Sequence, residues 1–350
     1  MFRKVDKTRP PFCKISAIGH SEPSDSELFQ VLSQEEFILM LPDEVRKEIL
    51  KGGELQLSEV VSSWNEMITE RRTFFKGEVW ELGNYSVKRM LETSKSKGLE
   101  ISLDDVDAII GATNTGPIYP SLADHMKNEI GVRNNAMCFD VTEACTSGSV
   151  AMLNAYSLIK SGVCEKILVV CSEKATTLTD INDWKSSNLF GDASFSVLLE
   201  KSENPEDESF EFFNFNSYPF DGNIKYIRRA EKGFVQDGRK VHLFVVKTVV
   251  EEVARSLQFA EISPDVIKHF VFHQPSLKTT SSLETYLRQN IQGLGGQFHY
   301  SSDVGNASSA SFGNLLSKLY HNGTIKNGEF VLTCTFGAGL SIGIIGLRFN

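Results

Sequence analysis

Long apolar runs are missing from this chain. None approaches the ~20 residues that a bilayer span requires, and the opening MFRKVDKTRPPF lacks the apolar stretch of a secretory signal. Cysteine is sparse: six residues, at 13, 138, 145, 164, 171 and 334, share no CxxC spacing and no His/Cys cluster. That pattern argues against a zinc site and against a disulfide scaffold. An excess of positive charge is absent too. With 36 Lys+Arg against 45 Asp+Glu the net charge is −9, and no basic stripe appears. Nucleic acid and membrane are therefore not expected partners, and an acidic partner protein needs a local basic patch. What remains is ordinary for a globular chain, 41% hydrophobic and 23% charged over 350 residues. That length buries a large core, in two domains or one two-part domain, expected in the cytoplasm.

Met137–Gly162, MCFDVTEACTSGSVAMLNAYSLIKSG, is the stretch that organises the rest. It opens as a short buried strand, turns at Thr142-Glu143-Ala144, and continues from Thr146 as a helix closed by Gly162. Cys145 thus stands at a helix's positive end, which favours a thiolate by about 0.3–2 kcal/mol. The expectation is a thiol substantially ionised at neutral pH. Taken alone, a cysteine is more often a small core residue than a nucleophile.

An internal repeat changes that balance. Glu100-Ile101-Ser102-Leu103-Asp104 is echoed by Glu261-Ile262-Ser263-Pro264-Asp265, and Ala108–Ala112 by His269–His273, at a constant offset of 161 residues. Ser121-Leu122 falls on Ser282-Leu283, Ile130 on Ile291, and Ser161-Gly162 on Asn322-Gly323. Under the same offset Cys145 falls on Asn306, inside GNASSASFG. Each half alternates strands and helices, which predicts an α/β protein with buried sheets. The two duplicated halves, related by a pseudo-twofold, meet at SENPEDES (202–209). We place the boundary between 1–203 and 204–350, with amphipathic helical segments inserted near 24–64. Cys145 and Asn306 are then expected to share one site. His273, at the end of the strand-like HFVF, stands where α/β sites gather.

DVTEACTSG, FGDASFSVLL, QDGRKV, FHQPS, GNASSASFG and FGAGLSIG occur in that order. Together they resemble a thiolase-fold condensing enzyme of the β-ketoacyl-acyl-carrier-protein synthase III type, over about residues 65–350. The resemblance implies a layered α-β-α-β-α fold and a Cys-His-Asn triad, matched by Cys145, His273 and Asn306. Cys145 would carry the acyl group, and His273 and Asn306 would stabilise the enolate of a decarboxylating malonyl thioester. An oxyanion hole would come from the backbone N–H of Cys145 and the Gly337-Ala338-Gly339 turn, with Ala338 at its centre. Implied substrates are CoA or phosphopantetheine thioesters with no cofactor or metal, and implied partners are an acyl carrier protein, acyl-CoA and a second copy of the chain.

Departures from the family pattern cluster around CoA recognition. The adenine-stacking Trp four residues before Arg71 reads as Met67, the Arg before FGD is replaced near Trp184-Lys185, and Lys278 and Ser276 replace an Arg and an Asn. Arg71, Trp184, Gly238 and Lys278 remain the matched substrate-binding positions, and Tyr119 resembles the aromatic that gates the acyl pocket across the dimer interface. Arg71, Arg72, Lys185, Lys225, Arg228, Arg229 and Lys278 are candidates for a basic rim facing an acidic carrier. Glu143, two residues before Cys145, departs from the small residues usual there. Competing readings are an acyltransferase forming an ester or amide on the same fold, and a non-catalytic partner subunit.

Overall fold

A computed structural model describes residues 1–132, 135–218, 222–230 and 233–350. The strands are β1 (Phe2–Lys4), β2 (Phe12–His20), β3 (Phe29–Ser33), β4 (Arg71–Phe75), β5 (Ala108–Ala112), β6 (Met137–Val141), β7 (Lys166–Lys174), β8 (Asp192–Ser202), β9 (Phe210–Ser217), β10 (Ile227–Ala230), β11 (Gly233–Gln236), β12 (Ile267–Phe272), β13 (Gln297–Phe298), β14 (Phe330–Gly337) and β15 (Ser341–Leu347). The helices are α1 (Gln34–Met40), α2 (Asp43–Ile49), α3 (Leu57–Met67), α4 (Val79–Ser96), α5 (Leu122–Glu129), α6 (Ser147–Lys160), α7 (Trp184–Ser187), α8 (Gly238–Phe244), α9 (Val250–Ala260), α10 (Leu277–Asn290) and α11 (Ser311–His321).

Two mixed sheets repeat one topology. The first runs β2-β8-β7-β5-β6; the second runs β9-β15-β14-β12-β13, with β1 added outside β9. In each, two neighbouring pairs are parallel and the rest antiparallel. Helices α6 and α11 lie between the sheets. Their apolar side chains (Ala151, Met152, Tyr156 and Ile159; Phe312, Leu315 and Leu316) join inward residues of both sheets in one core. That location explains why α6 is apolar nearly all round. Outer faces are covered separately, the first sheet by α4 and α5 and the second by α9 and α10. Alternation along β5 sorts its residues accordingly, Ile109 to the outer layer and Ala108, Ile110 and Ala112 to the central one. The α-β-α-β-α layering is that of the thiolase fold.

The segment near 24–64 is not all helix. Phe29–Ser33, expected in an amphipathic helix, pairs antiparallel with β4. Cross-strand packing decides this: Phe29 and Phe75 face each other with ring centroids 4.7 Å apart. Helix begins only at Ser33, whose side chain caps Glu36 N–H while Glu36 caps Ser33 in return. Helices α1–α3 then enclose their own apolar cluster around Phe37, Ile38, Ile49 and Trp64.

Candidate active site

The polypeptide leaves β6 at Val141 and enters α6 at Ser147, so Cys145 occupies the corner between them. Ala144 just before it adopts φ +47°, left-handed backbone that a non-glycine residue rarely takes. Local hydrogen bonds hold the turn. Glu143 N–H donates to Ser147 Oγ at 2.7 Å, Ser147 Oγ–H donates to the Ala144 carbonyl at 2.8 Å, and Thr146 Oγ1–H donates to the Glu143 carbonyl at 2.6 Å. The Glu143 side chain itself is exposed. Gly337, at the end of β14, passes so close that a Cβ there would lie 2.8 Å from Cys145 Cβ and 3.1 Å from Sγ. Only glycine permits this approach.

His273 follows β12 and is buried, with its Nδ1 2.7 Å from Ser311 Oγ and the edge of Phe336 against its ring. Burial pulls the imidazole down to about 3, so it is neutral. Asn306 lies in the equivalent corner of the second half. Its N–H donates to the Leu189 carbonyl at 2.9 Å, and its Oδ1 accepts the Ser308 N–H at 2.9 Å, which fixes which end of the amide is nitrogen. Ser308, like Ala144, is a non-glycine residue in left-handed backbone, at φ +46°.

Cys145, His273 and Asn306 line one cavity of about 360 Å³, together with Phe190, Phe234, Phe244, Phe336 and Leu340. Gly238 and Ala338 border it as well. The remaining matched positions stand elsewhere. Arg71 is exposed at the start of β4, and Lys278 is exposed on α10. Trp184 stacks on Trp64 at a centroid distance of 5.8 Å, and Tyr119 is 85% exposed. Within the expected basic rim, Arg72 is fully buried instead. Its guanidinium donates to Gln34 Oε1 and the Ser187 carbonyl and lies over the Phe37 ring. Arg228 and Arg229, on the β10–β11 hairpin, border the cavity.

The expectation of an ionised Cys145 does not hold in this enclosure. Burial pushes the thiol up to about 12, the Ser308 hydroxyl draws it down, and the Glu173 carboxylate adds to the rise. Desolvation outweighs the favourable helix end. The sequence reading also passed over Asn114, Glu173, Ser308 and Ser311, which surround the three residues. One signal was available: Asn114 follows β5 and Glu173 lies near the end of adjacent parallel β7, the carboxyl edge where α/β sites form.

Comparison with known proteins finds relatives along most of the chain. Family models for 3-oxoacyl-[acyl-carrier-protein] synthase III match residues 139–219, and for its C-terminal part residues 257–349. The chain is 27% identical over 310 residues to a β-ketoacyl-[acyl-carrier-protein] synthase III of Gloeobacter violaceus, covering 84% of this chain and 93% of that one. It is 28% identical over 312 residues to the enzyme of that name from Staphylococcus saprophyticus, covering 88% and 96%. The solved structure of 3-oxoacyl-[acyl-carrier-protein] synthase III from Aquifex aeolicus superposes with a TM-score of 0.80 at 22% identity, over 96% of this chain and all of that one. The family models and the curated relatives together support an acyl-transferring condensing enzyme of the thiolase superfamily. Within that class, the chain is similar to the synthase III type.

Proposed function

We propose that the enzyme loads an acyl group from a thioester onto Cys145 and condenses it with a malonyl- or β-ketoacyl-thioester. The carrier is CoA or a phosphopantetheine-bearing protein, and the pathway is fatty-acid-like or specialised-metabolite biosynthesis. One observation carries the reading: a cysteine, a neutral histidine and an oriented asparagine line the same largely apolar cavity.

In the loading step the Cys145 sulfur bonds to the acyl carbon, the carrier C–S bond breaks, and the thiol proton passes to the departing thiolate. With malonyl thioester in the second step, loss of CO₂ leaves an electron pair on carbon, delocalised onto the thioester oxygen. His273 Nε2–H and Asn306 Nδ2–H donate to that oxygen, two neutral groups at the place where charge develops. The carbon then bonds to the acyl carbonyl, Cys145 departs as thiolate, and a proton from water restores the thiol. Backbone N–H groups of Cys145 and Ala338 serve the tetrahedral oxyanion, and no cofactor is required. On this reading residues 1–203 supply the nucleophile and 204–350 both donors.

We assign a second copy of the chain to the open edge of the first sheet. Strand β6 ends that sheet, and Met137, Ile118 and Tyr119 are exposed large apolar side chains on it or the nearby loop. Exposed apolar sheet edges are normally covered. Tyr119 would then enter the partner's acyl pocket. Arg228 and Arg229 at the cavity, with exposed Lys185, Lys225, Arg71 and Lys278 beyond, suit an acidic carrier or the phosphates of CoA. Six free thiols suit the reducing cytoplasm. No described helix is long and apolar enough to cross a membrane.

Intact-protein mass spectrometry after incubation with acyl-CoA and acyl-carrier panels tests the assignment. The expected result is one acyl adduct on the native enzyme, none on Cys145→Ser, and β-ketoacyl product on adding malonyl thioester. If no donor adds mass at Cys145, the nucleophile assignment fails. An adduct that malonyl thioester never converts points to transfer onto oxygen or nitrogen.

A further inference from the structure

The Glu173 carboxylate is fully buried under the site and has no part in the chemistry above. Its Oε2 accepts the Asn114 N–H at 3.0 Å and the Thr115 hydroxyl at 2.9 Å. Its Oε1 accepts Asn114 Nδ2–H at 2.7 Å and the Ser309 hydroxyl. Every one of these partners is a neutral donor, an arrangement that fits an acceptor-only carboxylate.

Asn114 turns this anchor toward the reaction. Its Nδ2 also donates to the Ala144 carbonyl at 2.9 Å and lies 3.3 Å from Ser308 Oγ. Ala144 immediately precedes Cys145. Ser308 follows Asn306 by two residues, gives its N–H to Asn306 Oδ1, and points its hydroxyl at Cys145 Sγ from 3.8 Å. Both contacted residues hold left-handed backbone without being glycine. Such backbone persists only where surrounding contacts over-determine it. Here one amide touches the strained corner of each half, and one buried carboxylate fixes that amide on both its main chain and its side chain.

We propose that Glu173 and Asn114 form a positioning pair that pins the nucleophile corner to the donor corner. The inference rests on the roles given above to Cys145 and Asn306. Neither member touches reacting atoms; the pair acts through the Ala144 carbonyl and the Ser308 hydroxyl. It has two separable consequences. Hydrogen bonding through Asn114 sets the position of Cys145. The negative charge of Glu173 disfavours a thiolate nearby and adds to the burial that raises the resting thiol.

The two consequences are separated with the full-length enzyme and the variants Glu173→Gln and Asn114→Ala. Each is followed by two measurements, the single-turnover rate of acyl-enzyme formation and the pH dependence of Cys145 alkylation by iodoacetamide, read by mass. Asn114→Ala is expected to slow acylation by about tenfold or more, a loss in the range reported when a positioning group is removed. Its alkylation profile is not expected to move to lower pH, because the carboxylate remains. Glu173→Gln is expected to slow acylation and also to shift the alkylation profile to lower pH, by about one unit. A purely structural role would lower thermal stability without that shift. An acylation rate in Asn114→Ala equal to that of the native enzyme overturns the proposal, whatever Glu173→Gln does and even if the latter fails to fold. Absence of any acyl adduct on the native enzyme would instead sink the nucleophile assignment.

Discussion

Ser311 Oγ lies 2.7 Å from His273 Nδ1 and holds the orientation of the imidazole ring. The Ser308 carbonyl accepts both the Ser311 main-chain N–H and, at 2.9 Å, the Ser311 hydroxyl. The donor role proposed for Nε2–H needs the hydroxyl hydrogen to turn from that carbonyl to Nδ1, a rotation open to a serine hydroxyl. Ser311→Ala removes that constraint while leaving Nε2 in place. The expected outcome is a fall of about ten- to a hundredfold in condensation, by analogy with other residues that orient a functional imidazole. Acyl-enzyme formation should change little, since loading makes no enolate. Single-turnover measurements of the two half-reactions check the split.

The pH behaviour follows from the two shifted groups. Burial holds His273 near 3, so its charged form appears only below about pH 3. Condensation should consequently show no acid limb from His273 between pH 5 and 8. Cys145, raised to about 12, is protonated through that range. Its alkylation by iodoacetamide should rise about tenfold per pH unit from pH 7 to 9, following the thiolate fraction. A plateau near pH 7 would contradict this.

Gly337→Ala should abolish acylation, because the added methyl carbon would sit 2.8 Å from Cys145 Cβ and force the nucleophile corner to shift. Overpacking of this kind costs roughly 1–3 kcal/mol. The variant is expected to remain folded with a lowered Tm, measured by calorimetry, and to fail acyl uptake in the mass assay.

Ile118 and Tyr119, on the loop between β5 and α5, are 90% and 85% exposed in the single chain. Ile118→Glu combined with Tyr119→Asp should convert the proposed dimer to monomers in light scattering after gel filtration. A native enzyme that is already monomeric at micromolar concentration would remove the second copy from the proposal.

Much of this architecture was legible in the chain. The 161-residue offset placed Cys145 and Asn306 in equivalent corners, and the two sheets repeat one strand order as that offset requires. His273 was legible because apolar strand runs and their polar ends are local features. Phe29–Ser33 was not, since its partner β4 lies some forty residues away and supplies the packing that makes it a strand. Arg72, taken for a rim residue, is buried against Phe37 and Gln34 for the same kind of reason.

The sequence by itself determined the α/β duplication, the family resemblance and which three residues to look for in one cavity, because periodicity, repeat spacing and motif order are written along the chain. Only the tertiary structure decided the ionisation of Cys145, since desolvation depends on what encloses the thiol and not on its neighbours in sequence. It alone decided that Asn114 and Glu173 stand behind the nucleophile and Ser311 behind the histidine. It also separated Arg71, Tyr119, Trp184 and Lys278 from the cavity. Hydrogen bonds across strands and between halves join residues that no spacing rule connects, and the site's electrostatics follow from those bonds.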